Sequence, residues 1–184
     1  MSGMDEVLDR AADAALELAA ERPWSEVTLR DIAERAEAPF AALYGLARGK
    51  ASVIDAVSRR FDLRAAAGPY EGGEAAHDRL FEATMARIEA MEPHRAALIA
   101  IGRAEGPAAL APRLPRTAQA LLEIAGVDSS GVRGTARVAA MTAVWGRVLQ
   151  VWRDDQGALN RTMAEIDKRL KEMRSALRKL NADF

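Results

Sequence analysis

Three features of the sequence predict an all-α fold. Alanine, leucine, arginine and glutamate dominate the chain, and aromatic residues make up only 5% of it. Such a composition favours helix throughout. Apolar residues recur at spacings of three and four in segment after segment, the period of a helix face. Proline and glycine cluster between those segments, where helices must end. At 184 residues, 49% of them apolar, the chain holds one domain or a small domain joined to a larger one.

The first helix is predicted over Asp5 to Glu21. Val7, Leu8, Ala11, Ala12, Ala15, Leu16 and Leu18 share its apolar side, and Arg22-Pro23 stops it. Thr28 then offers an N-cap with Asp31 three residues on, and Val27 and Ile32 are spaced as a hydrophobic staple. This short helix runs to about Ala36. Pro39 suits the first turn of the next one, with Gly45 and Gly49 flanking its end. A longer helix opens at Lys50 and reaches at least Phe61. The layout is a helix-turn-helix backed by helper helices, which normally means DNA binding.

Gly68 to Gly73 is a turn-rich joint and marks the expected boundary between a unit at 1–66 and a second part at 74–184. Glu74 to Met91 predicts a helix with Leu80, Phe81, Met85 and Ile88 on one face. Pro93 breaks it, and a short apolar helix follows to about Ala104. Pro107, Pro112 and Pro115 make Gly106 to Pro115 loop or loose helix. Arg116 to Ala125 is a short helix ended by Gly126. Ser129 or Ser130 starts a long helix to about Arg153, apolar on several faces through Val138, Met141, Val144, Trp145, Val148, Leu149 and Trp152. The last helix, about Leu159 to Leu180, carries a narrow seam of Met163, Ile166, Leu170, Met173, Leu177 and Leu180.

Composition excludes several classes. There is no cysteine, hence no disulfide or thiolate metal site. No apolar run reaches the roughly 18 residues of a membrane span, and the N-terminus lacks a signal pattern, so a cytoplasmic protein is expected. His77 and His94 are too isolated to hold a metal. Asp154-Asp155 ends a helix without a paired general acid, which suits capping better than catalysis. With no nucleophile arrangement and no phosphate-binding glycine motif, neither an enzyme nor a cofactor is expected.

The N-terminal third resembles the tetracycline-repressor (TetR) family of bacterial regulators. The resemblance covers about residues 5 to 61. It rests on the amphipathic first helix, Trp24-Ser25-Glu26-Val27-Thr28, Ile32-Ala33, Leu43-Tyr44, and Lys50 ahead of Val53 and Ile54. It implies a TetR-like fold, with a three-helix helix-turn-helix unit followed by a helical ligand-binding and dimerisation part. It also implies phosphate contacts at Thr28, Tyr44 and Lys50. Arg30, Phe40, Ala41 and Arg48 complete the candidate DNA-binding set, and duplex DNA is the expected partner. The chain departs from the family pattern in places. Glu37 stands where a turn glycine is usual, Pro39 where a serine cap is frequent, Ala42 where a threonine is frequent, and Tyr44-Gly45-Leu46-Ala47 stand where Tyr-x-His-Phe is common. Pro39 to Ala47 contains no basic residue. Residues 1 to 62 hold eight basic and twelve acidic side chains, although a DNA surface gains most of its affinity from neutralised phosphates. Arg30, Arg48 and Lys50 are the local cluster that offers a positive patch.

A second resemblance covers about residues 148 to 180. Trp152, Asp155, Thr162, Asp167, Arg169 and Leu170 are similar to the C-terminal signature of a TetR-fold lipid-binding accessory protein of ubiquinone biosynthesis, which does not bind DNA. Gln156-Gly157 stand where its usual serine follows the Asp. Phe81, Met85, Met91, Leu98, Ile99, Ile101, Leu121, Leu122 and Trp145 form a candidate apolar pocket for a small apolar or lipid-like ligand. Trp152, Met163, Ile166, Leu170, Met173 and Leu177 form a candidate seam. The final helix from Arg161 to Lys179 has seven basic and three acidic residues. Its seam therefore suits either a homodimer interface or peripheral contact with a membrane. The preferred expectation is a ligand-responsive, homodimeric transcriptional regulator. The lipid accessory is the alternative.

Overall fold

The computed structural model describes residues 3–68 and 75–184. Most of the joint expected at Gly68 to Gly73 lies outside the described residues. Among those residues the chain is helical with no strand, so the predicted fold class holds. The elements are α1 (Gly3–Glu21), a 3-10 turn (Trp24–Glu26), α2 (Leu29–Arg35), α3 (Phe40–Leu46), α4 (Lys50–Ala66) and α5 (Ala76–Met91). A second 3-10 turn (Glu92–His94) leads into α6 (Arg95–Leu110), α7 (Arg113–Ile124), α8 (Gly131–Asp154) and α9 (Asn160–Lys179). None is long and apolar enough to cross a membrane.

Two compact units interleave in the sequence. One comprises Met1–Phe61 with Pro93–Leu110, the other Asp62–Glu92 with Ala111–Phe184. α6, expected in the C-terminal part, therefore clusters with the N-terminal one, because it packs along α1. The α1 face that meets its neighbours is rich in alanine: Ala11, Ala12, Ala15 and Ala19 are all buried beside Leu16 and Leu18. Small side chains let helices approach closely, and burial of Ile32, Leu43, Val53, Val57, Phe61 and Ile101 completes this core. Trp24 anchors the first 3-10 turn. Its Nε1 donates to Glu105 on α6 at 2.9 Å, and its carbonyl accepts from Lys50 Nζ at 2.7 Å.

In the second unit α8 packs against α7 and α9, and α5 packs against α7 and α9. Trp145, Leu80, Ile88, Leu121, Met141, Ile166 and Leu170 are fully buried there. The α8–α9 connection is held by polar groups. The Asp155 carboxylate accepts from the Thr162 backbone N–H at 2.9 Å and from its hydroxyl at 2.8 Å, capping the first turn of α9 as a carboxylate there should. At the other end of α8, Gly134 lies so close to the preceding loop that a Cβ would collide with the Ser129 backbone carbonyl. Only glycine fits that approach.

The proline-rich stretch is loosely helical, as one of the two expected alternatives had it, and only the start of α7 differs. Gly106 leaves the helical region (φ 76°, ψ 171°), kinking α6 just before Pro107. α7 begins at Arg113, not Arg116. Pro115 lies in its first turn, where a missing N–H removes no intrahelical bond.

Three helices end in the same way, and the comparison singles out one residue. After α2, Glu37 N–H bonds Glu34 O and Ala38 N–H bonds Ala33 O. After α7, Gly126 and Val127 make the equivalent bonds to Glu123 and Leu122, and after α9, Asn181 and Ala182 bond Arg178 and Leu177. Each is a Schellman motif, which needs a left-handed residue at its turn. The three φ values are 49° at Glu37, 66° at Gly126 and 51° at Asn181. Glycine and asparagine tolerate that region, whereas a glutamate pays about 1–2 kcal/mol of steric strain there. Glycine loses roughly 0.4–1 kcal/mol more chain entropy on folding. Glu37→Gly should therefore stabilise the protein by roughly 0.5–1 kcal/mol in urea unfolding. A loss of stability would contradict the strain at this turn.

Candidate nucleic-acid interface

The helix-turn-helix is built by local chemistry that the sequence announces. The Thr28 hydroxyl accepts from the Asp31 N–H at 3.1 Å, and the Asp31 carboxylate accepts from the Thr28 N–H at 2.7 Å and its hydroxyl at 2.8 Å. The Thr28 N–H and hydroxyl, helped by Arg22, hold the Asp31 carboxyl below its ordinary value. Val27 and Ile32 are both buried, as a staple requires. Pro39 sits at the N-cap of α3 rather than inside its first turn. Leu43 and Ala47 pin α3 to the core, both at 0% exposure. Ala41, Ala42, Tyr44 and Gly45 then face outward, with Phe40 half-buried at the start of the helix.

Charge on this surface is sparse. Arg35 forks onto Glu21 (2.8 and 2.6 Å) and Glu17 (3.2 Å), and Arg22 meets Asp31 at 2.9 Å. Those cations are spent within the unit, around a concavity of about 500 Å³ lined by Leu18, Glu21, Arg22, Asp31, Glu34, Arg35 and Glu37. Arg30 and Arg48 remain exposed, without a carboxylate partner among the described residues. Arg30 lies with its guanidinium 4.3 Å from the centre of the Phe40 ring, and that ring stacks on Tyr44 at 5.8 Å. Lys50 is committed inward. Besides its bond to the Trp24 carbonyl, its ammonium sits 4.6 Å from the Trp24 ring, so it braces the unit.

Residues 12–57 match the family model described as bacterial regulatory proteins, tetR family. The chain carries a TetR-family N-terminal domain. The fold agrees over nearly the whole length. A TetR transcriptional regulator from Rhodococcus sp. RHA1 superposes with a TM-score of 0.69 at 20% identity, covering 94% of this chain and 97% of that one. A TetR transcriptional regulator from Nitrosomonas europaea ATCC 19718 gives 0.67 at 24% identity, covering 90% and 96%. No curated protein matches the chain.

Outside the TetR-type domain, the candidate residues separate. Leu98 and Ile101 lie on α6 with the first unit, whereas Phe81, Met85, Met91, Leu121 and Trp145 lie in the second. Met85, Met91, Leu121 and Trp145 are buried, and none of the set lines the concavity described above. The sequence reading missed the charged group among them. Arg87 is 3% exposed. Its Nε donates to Asp62 Oδ1 at 2.7 Å, its Nη1 approaches Met91 Sδ at 2.8 Å and its Nη2 reaches Thr117 Oγ1 at 3.4 Å, while the guanidinium lies 4.8 Å from the centre of the Trp145 ring. A signal was available: Leu80, Thr84, Arg87 and Met91 share one helical face, and all four are buried.

The seam is a correction. Trp152, Ile166, Leu170, Met173 and Leu177 are at most 4% exposed within one chain, whereas Met163, at 42%, and Leu180, at 67%, face outward. The spacing of three and four seats these buried residues of α9 on α5 and α8 of the same subunit. The second signature resolves in the same way. Trp152 Nε1 donates to Glu92 at 2.6 Å, Asp155 caps α9 through Thr162, Arg169 pairs with Glu165 and Glu172, and Leu170 is core. Asp167 meets His77 at 3.2 Å and Lys171 at 2.6 Å, so His77 is a half-buried bridging residue rather than an isolated one. These residues hold helices together, and the lipid-accessory reading loses its main structural support.

Proposed function

We propose that this protein is a ligand-responsive transcriptional regulator acting as a homodimer. The observation that carries the proposal is the TetR-family match over the residues that build a capped α2, a tight turn and an outward-facing α3. Two such units placed in successive major grooves would bind half-sites about one helical turn apart. The burial of the α9 seam moves the proposed dimer contact to the outer faces of α8 and α9, where Val132 (90% exposed), Ala139, Ala143 and Met163 are open. An apolar ligand held in the second unit acts by preferring one of two spacings of the DNA-binding units, so that its binding shifts their population. Thr28, Arg30, Phe40, Ala41, Tyr44 and Arg48 are the proposed contact set, with Lys50 behind them as a brace. The test is titration of the purified chain against duplexes tiling its own upstream region. Binding that tightens steeply as salt falls supports the proposal. Absence of binding to every duplex at about 50 mM salt refutes it.

A further inference from the structure

A helix that reads bases usually brings amides, guanidinium groups or carboxylates to their edges. α3 brings none. From Phe40 to Leu46 its sequence is FAALYGL, and the Tyr44 hydroxyl is its sole polar side-chain group. The outward surface is made of the Phe40 ring, the methyls of Ala41 and Ala42, and Tyr44 at 53% exposure. It is also ordered before any partner arrives. Phe40 and Tyr44, one helical turn apart, stack at 5.8 Å, and Arg30 holds the Phe40 ring at 4.3 Å. An exposed aromatic wall on a half-buried anchor, with a cation fixed against it, is a preformed apolar contact surface.

Each base pair shows the major groove a different set of groups, and one of them is apolar: the 5-methyl group of thymine. We infer that α3 selects thymine at its half-site by packing Phe40, Ala41 and Tyr44 against thymine methyls. The inference rests on the regulator reading and supplies its missing specificity. Arg30 and Arg48 give affinity through phosphates without choosing a sequence. The preference is therefore for thymine-bearing steps, and guanine, which is read through paired hydrogen bonds to Arg or Lys, has no reader on α3.

The test uses the full chain and a random duplex library of about 30 base pairs, selected at about 50 mM salt. The selected pool is expected to be enriched in thymine. It is then re-amplified with deoxyuridine, which keeps every Watson–Crick pair and removes only the methyl. Burying a methyl stabilises by about 0.8 kcal/mol, so each lost contact weakens binding roughly fourfold, and two per half-site, four for the dimer, weaken it roughly 200-fold. Re-amplification with 5-bromodeoxyuridine, whose bromine is methyl-sized, should restore binding. Phe40→Ala, with its fold checked by urea unfolding, should shrink the thymine-to-uracil ratio while leaving the salt slope unchanged. Equal affinity for the thymine and uracil pools overturns the inference and leaves the regulator reading standing, with DNA shape as the source of specificity. Failure to bind any duplex overturns both.

Discussion

Replacing Arg87 with alanine is expected to destabilise the second unit by about 3–5 kcal/mol, because it strands a carboxylate inside the protein. Asp62 would keep its half-buried position and lose the guanidinium that faces it at 2.7 Å. Trp145 would also lose its cation–π neighbour. Burial already pushes the Asp62 carboxyl above its ordinary value, against the opposing pull of Arg87. Burial likewise pulls Arg87 downward, against the support of Asp62. Both directions say that desolvation is the larger effect at this pair. The buried cation and its partner are therefore a costly arrangement that is tolerable only when complete. Two further outcomes follow. In Arg87→Ala the Asp62 carboxyl binds its proton more tightly in the folded chain than in the unfolded one. Stability from that proton is present at low pH and is lost as pH rises from the unfolded value through the folded one, so the variant should be least impaired in acid. Arg87→Met combined with Asp62→Leu should recover most of the loss, since replacing both members of a buried pair with apolar groups is often neutral or stabilising. Urea unfolding followed by tryptophan fluorescence measures all three. A cost below about 1 kcal/mol for Arg87→Ala, typical of an exposed pair, would contradict the burial described here.

That pair also shows where the sequence stops being informative. Helix positions were legible because periodicity and caps are local. The Thr28–Asp31 capping box, the α3 start beside Pro39 and the glycine end of α7 all depend on residues within a few positions of each other. The fate of a face is not local. The α9 seam of Ile166, Leu170, Met173 and Leu177 specifies that something apolar must cover it, and only the tertiary arrangement shows that α5 and α8 of the same chain do so. The assignment of α6 to the N-terminal unit failed to appear for the same reason. Its packing on α1 joins residues some 80 positions apart, as the Trp24–Glu105 bond does. Glu37 is the intermediate case. Its departure from a family glycine was readable, but its left-handed backbone needed the structure.

The candidate site divides along the same line. Exposure of Ala41 and Tyr44 and burial of Leu43 follow the period of a short helix. The role of Lys50 does not follow from its position at the opening of α4. Its ammonium is engaged by a carbonyl 26 residues earlier in the chain and by the ring of the same tryptophan, both of which compete with a phosphate for the same charge. Thr28 is similar, since its hydroxyl already donates to Asp31 and accepts from the Asp31 N–H.

These commitments make the two basic positions separable by salt. Arg48 lies just beyond α3, exposed and without a carboxylate partner among the described residues. If it neutralises one phosphate per subunit, Arg48→Ala removes two contacts from a dimer. The slope of log K against log salt should then fall by about 1.8, and affinity at about 0.1 M salt should drop roughly 60-fold, at about 0.9 per contact. The loss should be uniform across duplex sequences, because a phosphate contact carries no sequence information. Lys50→Ala should behave in the opposite way. It removes a charge-assisted bond to a half-buried carbonyl, costing about 1.5–3 kcal/mol of stability, and should leave the salt slope nearly unchanged in the folded fraction. Binding isotherms at several salt concentrations, paired with urea unfolding of each variant, separate the two. A slope that falls for Lys50→Ala and not for Arg48→Ala would reverse the assignment, because it would mean that the Trp24 carbonyl yields the ammonium to DNA.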